Sequence, residues 1–373
     1  MTLDVLGIDA SRAAAAAMTG TEWYSWEIIR AIADTSERPM LRLYQREPGT
    51  ITTAARVEHQ VIRRPRCWTP LGLGPEMRRN PPDALFVPAH FLPPWHPPAS
   101  VVTIHDLGYL AAGRTHTRRR RISLDLTTRW SARRAARIIV PSTATSRDLQ
   151  RHYGTDPAKI DVIHHGIDHE RFRVLPPEET AEGLERLGLR QPYLLFLSTI
   201  QPRKNLSRLI AAFEALDLDD LALVVAGADG WMSTAIYQRM ARSTHSNQII
   251  RLGYVPEELV PALYNGAQAF VLPSLYEGFG MGVIEAMACG CPVVTSSTSC
   301  LPEIAGGAAI IVDPLSVESI CDGVRLVLDP NQRQRLRHAG LRRASQFTWE
   351  RCAVETLESI RRAYAEASTG SAP

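Results

Sequence analysis

The sequence predicts an α/β protein made of two doubly wound, Rossmann-like domains, and three observations lead there. A chain of 373 residues, 45% of them hydrophobic, exceeds what one core usually organises. Short apolar runs at 3–8, 84–87, 101–105, 137–140 and 193–198 alternate with stretches of helical spacing, the order expected of a parallel sheet covered by helices. The stretch AFVLPSLYEGFGMGVIEAMACGCPVV, residues 269–294, holds a complete strand, turn, helix and strand. Within it the apolar run 269–272 is closed by Pro273, the turn is Gly278-Phe279-Gly280, and a helical segment over 281–288 stops at Gly290 and Pro292.

Composition narrows the function classes. No stretch approaches the roughly 20 apolar residues of a membrane span, and Asp4 and Asp9 make the N-terminal segment unlike a signal peptide, so a cytoplasmic location is expected. Six cysteines form no C-x-x-C pair and are expected as reduced thiols, without a metal. No nucleic-acid partner is expected. Residues 1–170 carry 23 Lys+Arg against 17 Asp+Glu, a net of +6, and residues 171–373 carry 19 against 22, a net of −3. Lys159 and Lys204 are the two lysines; the other 40 basic residues are arginine. Asp217-Leu-Asp219 has the form of a metal-binding D-x-D, but it follows a helical stretch rather than an apolar strand, and a solvated turn is expected.

In an open parallel sheet, ligands bind in the crevice beyond the carboxyl ends of the strands, where helix N-termini offer N–H groups to anions. Two carboxylates frame the glycine turn there: Glu277 at the strand exit and Glu285 eight residues on. A glutamate inside an apolar helix is costly unless paired, and a ribose or sugar diol is a suitable partner. Arg203 and Lys204, in QPRKNLSRLIAAF ahead of a second helix, combine a forked donor and a point charge, which suits a diphosphate. His105, at the exit of VVTIHDL, is placed to meet a substrate hydroxyl.

EGFGMGVIEAMACGCPVV resembles the E-x7-E signature of the retaining GT-B glycosyltransferases of family 4, the glycosyl transferases group 1. The resemblance covers nearly the whole chain, densest over 193–314 and looser over 36–82. It implies two domains facing across a cleft: residues 1–180 on the acceptor side, 181–350 holding the nucleotide sugar, and 351–373 as a helix, opened by Phe347-Thr-Trp-Glu350, that crosses back to the first and ends in a polar tail. GIDASRAAAAAMTGTEWYSWEII resembles the family's first strand and loop, which places Gly20 toward the donor diphosphate. His105 then reaches the transferred sugar, and Ser198, Arg203, Lys204, Val255, Glu277, Gly278, Phe279, Gly280 and Glu285 bind the donor, with Glu277, His105, Lys204 and Arg203 as the catalytic set. Ser198 departs from the family's usual glycine. GIDAS, VVTIHDL and QPRKNL together look most like the mannosyltransferase branch.

The expected activity is transfer of a hexose, mannose foremost, from a nucleotide diphosphate sugar to a glycan, a lipid-linked acceptor or another hydroxyl, with no cofactor or metal. The alternatives are a nucleotide-sugar epimerase of the same fold and an inactive nucleotide-sugar-binding protein. A helix over 114–137, with Arg114, Arg118, Arg121, Arg129, Arg133 and Arg137 as one stripe, suggests peripheral contact with an anionic membrane. The resemblance carries the interdomain linker through residues 176–187, opening with two prolines, and the segments at 301–303 and 310–314 are expected to continue the sheet edge.

Overall fold

Buried β-rich runs punctuated by glycine, proline and aspartate become two all-parallel sheets in the computed structural model, which describes residues 2–13, 20–48, 57–64, 66–89, 91–111 and 118–370. The first sheet contains Val5–Asp9 (β1), Met40–Gln45 (β2), Val57–Val61 (β3), Ala84–Val87 (β4), Ser100–Thr103 (β5), Arg137–Val140 (β6) and Ile160–Val162 (β7), in the order β3-β2-β1-β4-β5-β6-β7. The second contains Tyr193–Leu197 (β8), Ala222–Ala226 (β9), Ile249–Gly253 (β10), Ala269–Leu272 (β11), Val293–Ser296 (β12) and Ile310–Val312 (β13), in the order β10-β9-β8-β11-β12-β13. Both are the doubly wound α/β arrangement that the sequence predicts. In each, the winding reverses beside the first strand, so the switch points lie between β1 and β4 and between β8 and β11.

Two compact units result: residues 1–107, 116–166 and 348–373 form one, and residues 108–115 and 167–347 the other. The two units divide between Gly166 and Ile167, just past the end of β7, and the final helix runs Trp349–Ser368. That helix, Trp349–Ser368, is part of the first unit because its Leu357, Ile360 and Ala363 are buried with Leu6 of β1, Phe86 of β4, Val101 of β5 and Ile139 of β6. The helix Gly20–Asp34 adds Ile28, Ile29 and Ile32 to the same core.

Three expectations change. The linker at 176–187 is largely a helix, Pro177–Arg186: proline is suited to a first helical turn, and Glu178 and Glu179 favour the positive end of the helix dipole. The segment 301–303 opens a short helix, Leu301–Ala305, instead of extending the sheet. The arginine-rich helix is Arg118–Arg134, so the stripe loses Arg137, which starts β6 and is buried; Arg114 lies outside the described residues.

Arg137 is buried because Asp161 on β7 meets its guanidinium with both oxygens, at 2.7 and 2.8 Å. Ser359 Oγ donates to the same carboxylate at 2.6 Å and Arg362 adds an ion pair at 3.0 Å, while Glu366 takes Arg137 Nη1 at 2.9 Å. Burial opposes ionisation of Asp161, but its hydrogen bonds and the arginine charges win and hold the carboxyl below its usual range. The network therefore ties β6, β7 and the last helix together with charge as well as apolar contact. Asp161→Ala leaves a buried guanidinium short of partners, a loss of about 3–5 kcal/mol; chemical denaturation should show a large shift of the first unit's transition, and a loss under about 1 kcal/mol would mean the pair is not holding the helix.

Candidate active site

The second unit's switch point is assembled from the loops that leave β8 and β11. After β8, residues Pro202–Lys204 make one 3-10 turn, and Asn205 takes a left-handed conformation, φ 63°, before the helix Leu206–Leu216 begins. Asparagine tolerates that region better than most residues. Its buried side chain donates to Pro273 O at 2.9 Å and Pro314 O at 2.7 Å, and its Oδ1 accepts from Arg208 at 2.9 Å. Asn205 thus fixes the Arg203-Lys204 loop against the exits of β11 and β13. Sequence reasoning passed over it, although an asparagine directly before a helical run is the available signal. Leu275 N–H donates to Arg203 O at 2.9 Å, and Arg203 Nη1 donates to Tyr276 O, which joins the two loops again.

Between them lies Glu277, 6% exposed. Lys204 Nζ donates to its Oε1 at 2.6 Å and Arg203 Nη1 to its Oε2 at 3.1 Å. The Glu277 N–H donates to Ser299 Oγ at 2.9 Å. Burial alone would push this carboxyl up; the Lys204 and Arg203 charges and the Lys204 hydrogen bond outweigh it and hold it at about 2. Two cations and one permanently ionised carboxylate leave the cluster with a net positive charge at the carboxyl ends of the strands, where an anionic ligand group would gain most.

The chain then turns at Gly280, whose φ of 90° and whose place 2.8 Å from Leu301 Cδ2, measured from a Cβ built there, both exclude larger residues. The helix Met281–Ala288 starts at once. Gly278 and Phe279 are buried, and the Phe279 ring meets Phe347 edge-on at 5.8 Å, so this side chain packs while its backbone forms the turn. Glu285, half-buried on the helix, accepts from the Tyr264 hydroxyl at 3.0 Å. Burial raises its carboxyl above the ordinary value despite that hydrogen bond and the charge of Arg171. Ser198 follows β8, its N–H bonded to Ala226 O at 3.0 Å, and Val255 is buried just beyond β10. Arg203, Lys204, Glu277, Gly278, Phe279 and Gly280 thus share the β8–β11 switch point, with Ser198 on the same β8 exit loop and Glu285 on the helix that follows.

His105 and Gly20 lie in the first unit. His105, two residues beyond β5, bonds through Nε2 to Pro88 O at 2.8 Å and meets the rings of Tyr24 and His165 at 4.7 and 5.5 Å. Burial, with His105 and His164 nearby, holds His165 well below the usual histidine range. Gly20 is exposed at the first position of its helix, and a Cβ there would meet nothing within 4 Å among described atoms. The Asp217 turn is solvated, with His245 Nε2 3.1 Å from Asp217 Oδ1. Among the described residues no three His, Cys, Asp or Glu side chains are grouped as metal ligands, and no helix is long and apolar enough to cross a membrane.

Two family models match the chain: Glycosyltransferase Family 4 over residues 35–171 and Glycosyl transferases group 1 over residues 181–343. The O-antigen chain mannosyltransferase B of Escherichia coli is 31% identical over 288 residues, 76% of this chain and 75% of that protein. The D-inositol 3-phosphate glycosyltransferase of Rhodococcus jostii (strain RHA1) is 31% identical over 64% of this chain, the match spanning 55% of that longer protein. Among solved structures, the sucrose-phosphate synthase of Thermosynechococcus elongatus superposes with a TM-score of 0.77 at 19% identity, covering 97% of this chain and 99% of that one. Anabaena Alr3699/HepE, in complex with UDP and glucose, gives 0.75 at 16% identity over 97% and 100%.

The Glu277 cluster has a signature in stability against pH. A carboxyl at about 2 in the folded protein, against 4.5 ordinarily, contributes stability that is complete above about pH 4.5 and drains away as pH falls toward 2. The stability difference between the unaltered protein and Glu277→Gln should therefore be flat at neutral pH and shrink below about pH 4.5. A difference that stays constant down to pH 3 would show that the ion pairs do not set this ionisation.

Proposed function

The chain belongs to glycosyltransferase family 4, the glycosyl transferases group 1, and from that premise we propose that it transfers a hexose, mannose foremost, from a nucleoside diphosphate sugar with retention of anomeric configuration. The observation that carries this reading is the joint hold of Lys204 and Arg203 on Glu277, at 2.6 and 3.1 Å, at the β8–β11 switch point. In the transfer, the bond from the anomeric carbon to the diphosphate oxygen breaks and a bond to the acceptor oxygen forms. Negative charge grows on the diphosphate and positive charge on the sugar ring. Arg203 and Lys204 are suited to the first, acting in place of a metal ion, and Glu277 to the second. Glu285 serves the ribose of the nucleotide, and His105 the transferred sugar. Mannose is favoured by the name of the Escherichia coli relative, and GDP as its carrier by the resemblance of GIDAS, VVTIHDL and QPRKNL to the mannosyltransferase branch; the Anabaena structures with UDP and UDP-glucose make UDP-sugars the natural competitors in the test.

Thermal-shift screening decides the donor, because a ligand of the folded state raises the melting temperature: GDP-mannose should do so more than UDP-glucose or ADP-glucose, and the reverse order would overturn the assignment. With a donor in hand, Glu285→Ala should weaken nucleotide binding without acceptor. Glu277→Gln and His105→Ala should leave nucleotide affinity nearly intact and lower kcat, by about 10²-fold for Glu277→Gln. Wild-type turnover in both at saturating substrates would refute these roles. EDTA should leave the rate unchanged.

The same reading covers an acceptor at an anionic surface. The helix Arg118–Arg134 exposes Ile122 and Leu126, 50% and 59% accessible, on one face with exposed Arg119, Arg129 and Arg133. Apolar side chains between arginines suit insertion at a charged bilayer surface. Co-sedimentation with vesicles holding anionic lipid at low salt should be seen and should be lost in Leu126→Asp; no sedimentation would remove this contact from the account.

A further inference from the structure

Glu285 is held from its buried side by a hydroxyl that no step of the transfer requires. Tyr264, in the helix Val260–Gly266, is wholly buried, its ring edge-on to Phe270 at 5.4 Å and to Phe172 at 6.3 Å. Its hydroxyl stays protonated, because burial and the Glu285 charge push it well above the usual tyrosine range, and it can therefore only donate to the carboxylate. The bond to Glu285 Oε2 is 3.0 Å. The neighbouring helix clears the space: Gly282 lies one turn before Glu285, and a Cβ there would stand 3.1 Å from Phe270 Cζ and 3.3 Å from the Tyr264 oxygen. Glycine weakens a helix interior, so its presence here has a packing reason. Among the described residues neither Glu285 oxygen makes another hydrogen bond.

We propose that Tyr264 is a positioning residue for the nucleotide's ribose: by holding Glu285 Oε2 from inside the unit, it fixes the carboxylate so that Oε1 accepts from the ribose hydroxyls. This rests on the reading of Glu285 as the ribose ligand. A phenylalanine would fill the same volume and leave the carboxylate three rotatable bonds to explore. The hydroxyl also keeps Glu285 an acceptor. Burial favours the protonated carboxyl and Glu257 adds to that; Tyr264 and Arg171 oppose it, and Cys289, the residue that caps the end of the Glu285 helix, is a buried, protonated thiol.

Tyr264→Phe tests this, with GDP, UDP and their 2′,3′-dideoxy counterparts titrated calorimetrically. The variant should bind the ribonucleotide about tenfold more weakly and the dideoxy form almost unchanged, since the hydrogen bond acts through the ribose hydroxyls. Equal weakening of both forms, or of neither, overturns the proposal. A ligand-free readout separates it from the reading beneath: the Glu285 carboxyl, identified by its absence in Glu285→Gln, should titrate about one pH unit higher in Tyr264→Phe by carbon NMR. An unmoved midpoint overturns the positioning alone, whereas failure of GDP and UDP to bind the unaltered protein overturns the donor reading with it.

Discussion

Placing a carboxylate, an arginine and a lysine together in a half-dry crevice is the constraint on which the second unit depends. Lys204 and Arg203 reach Glu277 only because two loops from adjacent strands are held in register by Asn205, by Leu275 on Arg203, and by Arg203 on Tyr276. Any one cation near a buried glutamate would balance it; two overbalance it. The excess charge is what equips the site for an anion, and the carboxylate keeps the cations aimed at one point when no ligand is present.

The fold explains why these side chains come together. A parallel sheet that reverses its winding beside the first strand opens a gap between two loops, and Arg203, Lys204 and Glu277 sit in that gap in the second unit. Gly280 and Asn205 supply the left-handed conformations that let both loops turn straight into helices. In the first unit the corresponding investment goes into Arg137 and Asp161, which anchor a helix from the far end of the chain to the sheet.

Much of this was legible. The run 269–272, closed by proline and followed by paired glycines, could only be a strand entering a helix, and it appears with those bounds. Arg203 and Lys204 stood out because lysine is so rare here. What was hidden lies in contacts across elements. Two prolines at 176–177 read as a linker, although a proline in a first turn starts a helix well. Arg137 fitted the arginine spacing by chance, and only its pairing with Asp161 explains its burial. Tyr264 lies 21 residues from Glu285 on another helix, a contact no periodicity announces.

The central claim is that Arg203 and Lys204 exist for a diphosphate. The most direct measurement compares the affinities of a nucleoside diphosphate and its nucleoside, GDP with guanosine and UDP with uridine, for the unaltered protein and for Arg203→Ala and Lys204→Ala. The nucleoside controls for general damage to the pocket. The account predicts that each substitution cuts the advantage of the diphosphate over the nucleoside by about tenfold or more, as loss of a charge-assisted hydrogen bond should. An advantage that survives both substitutions undiminished would contradict it.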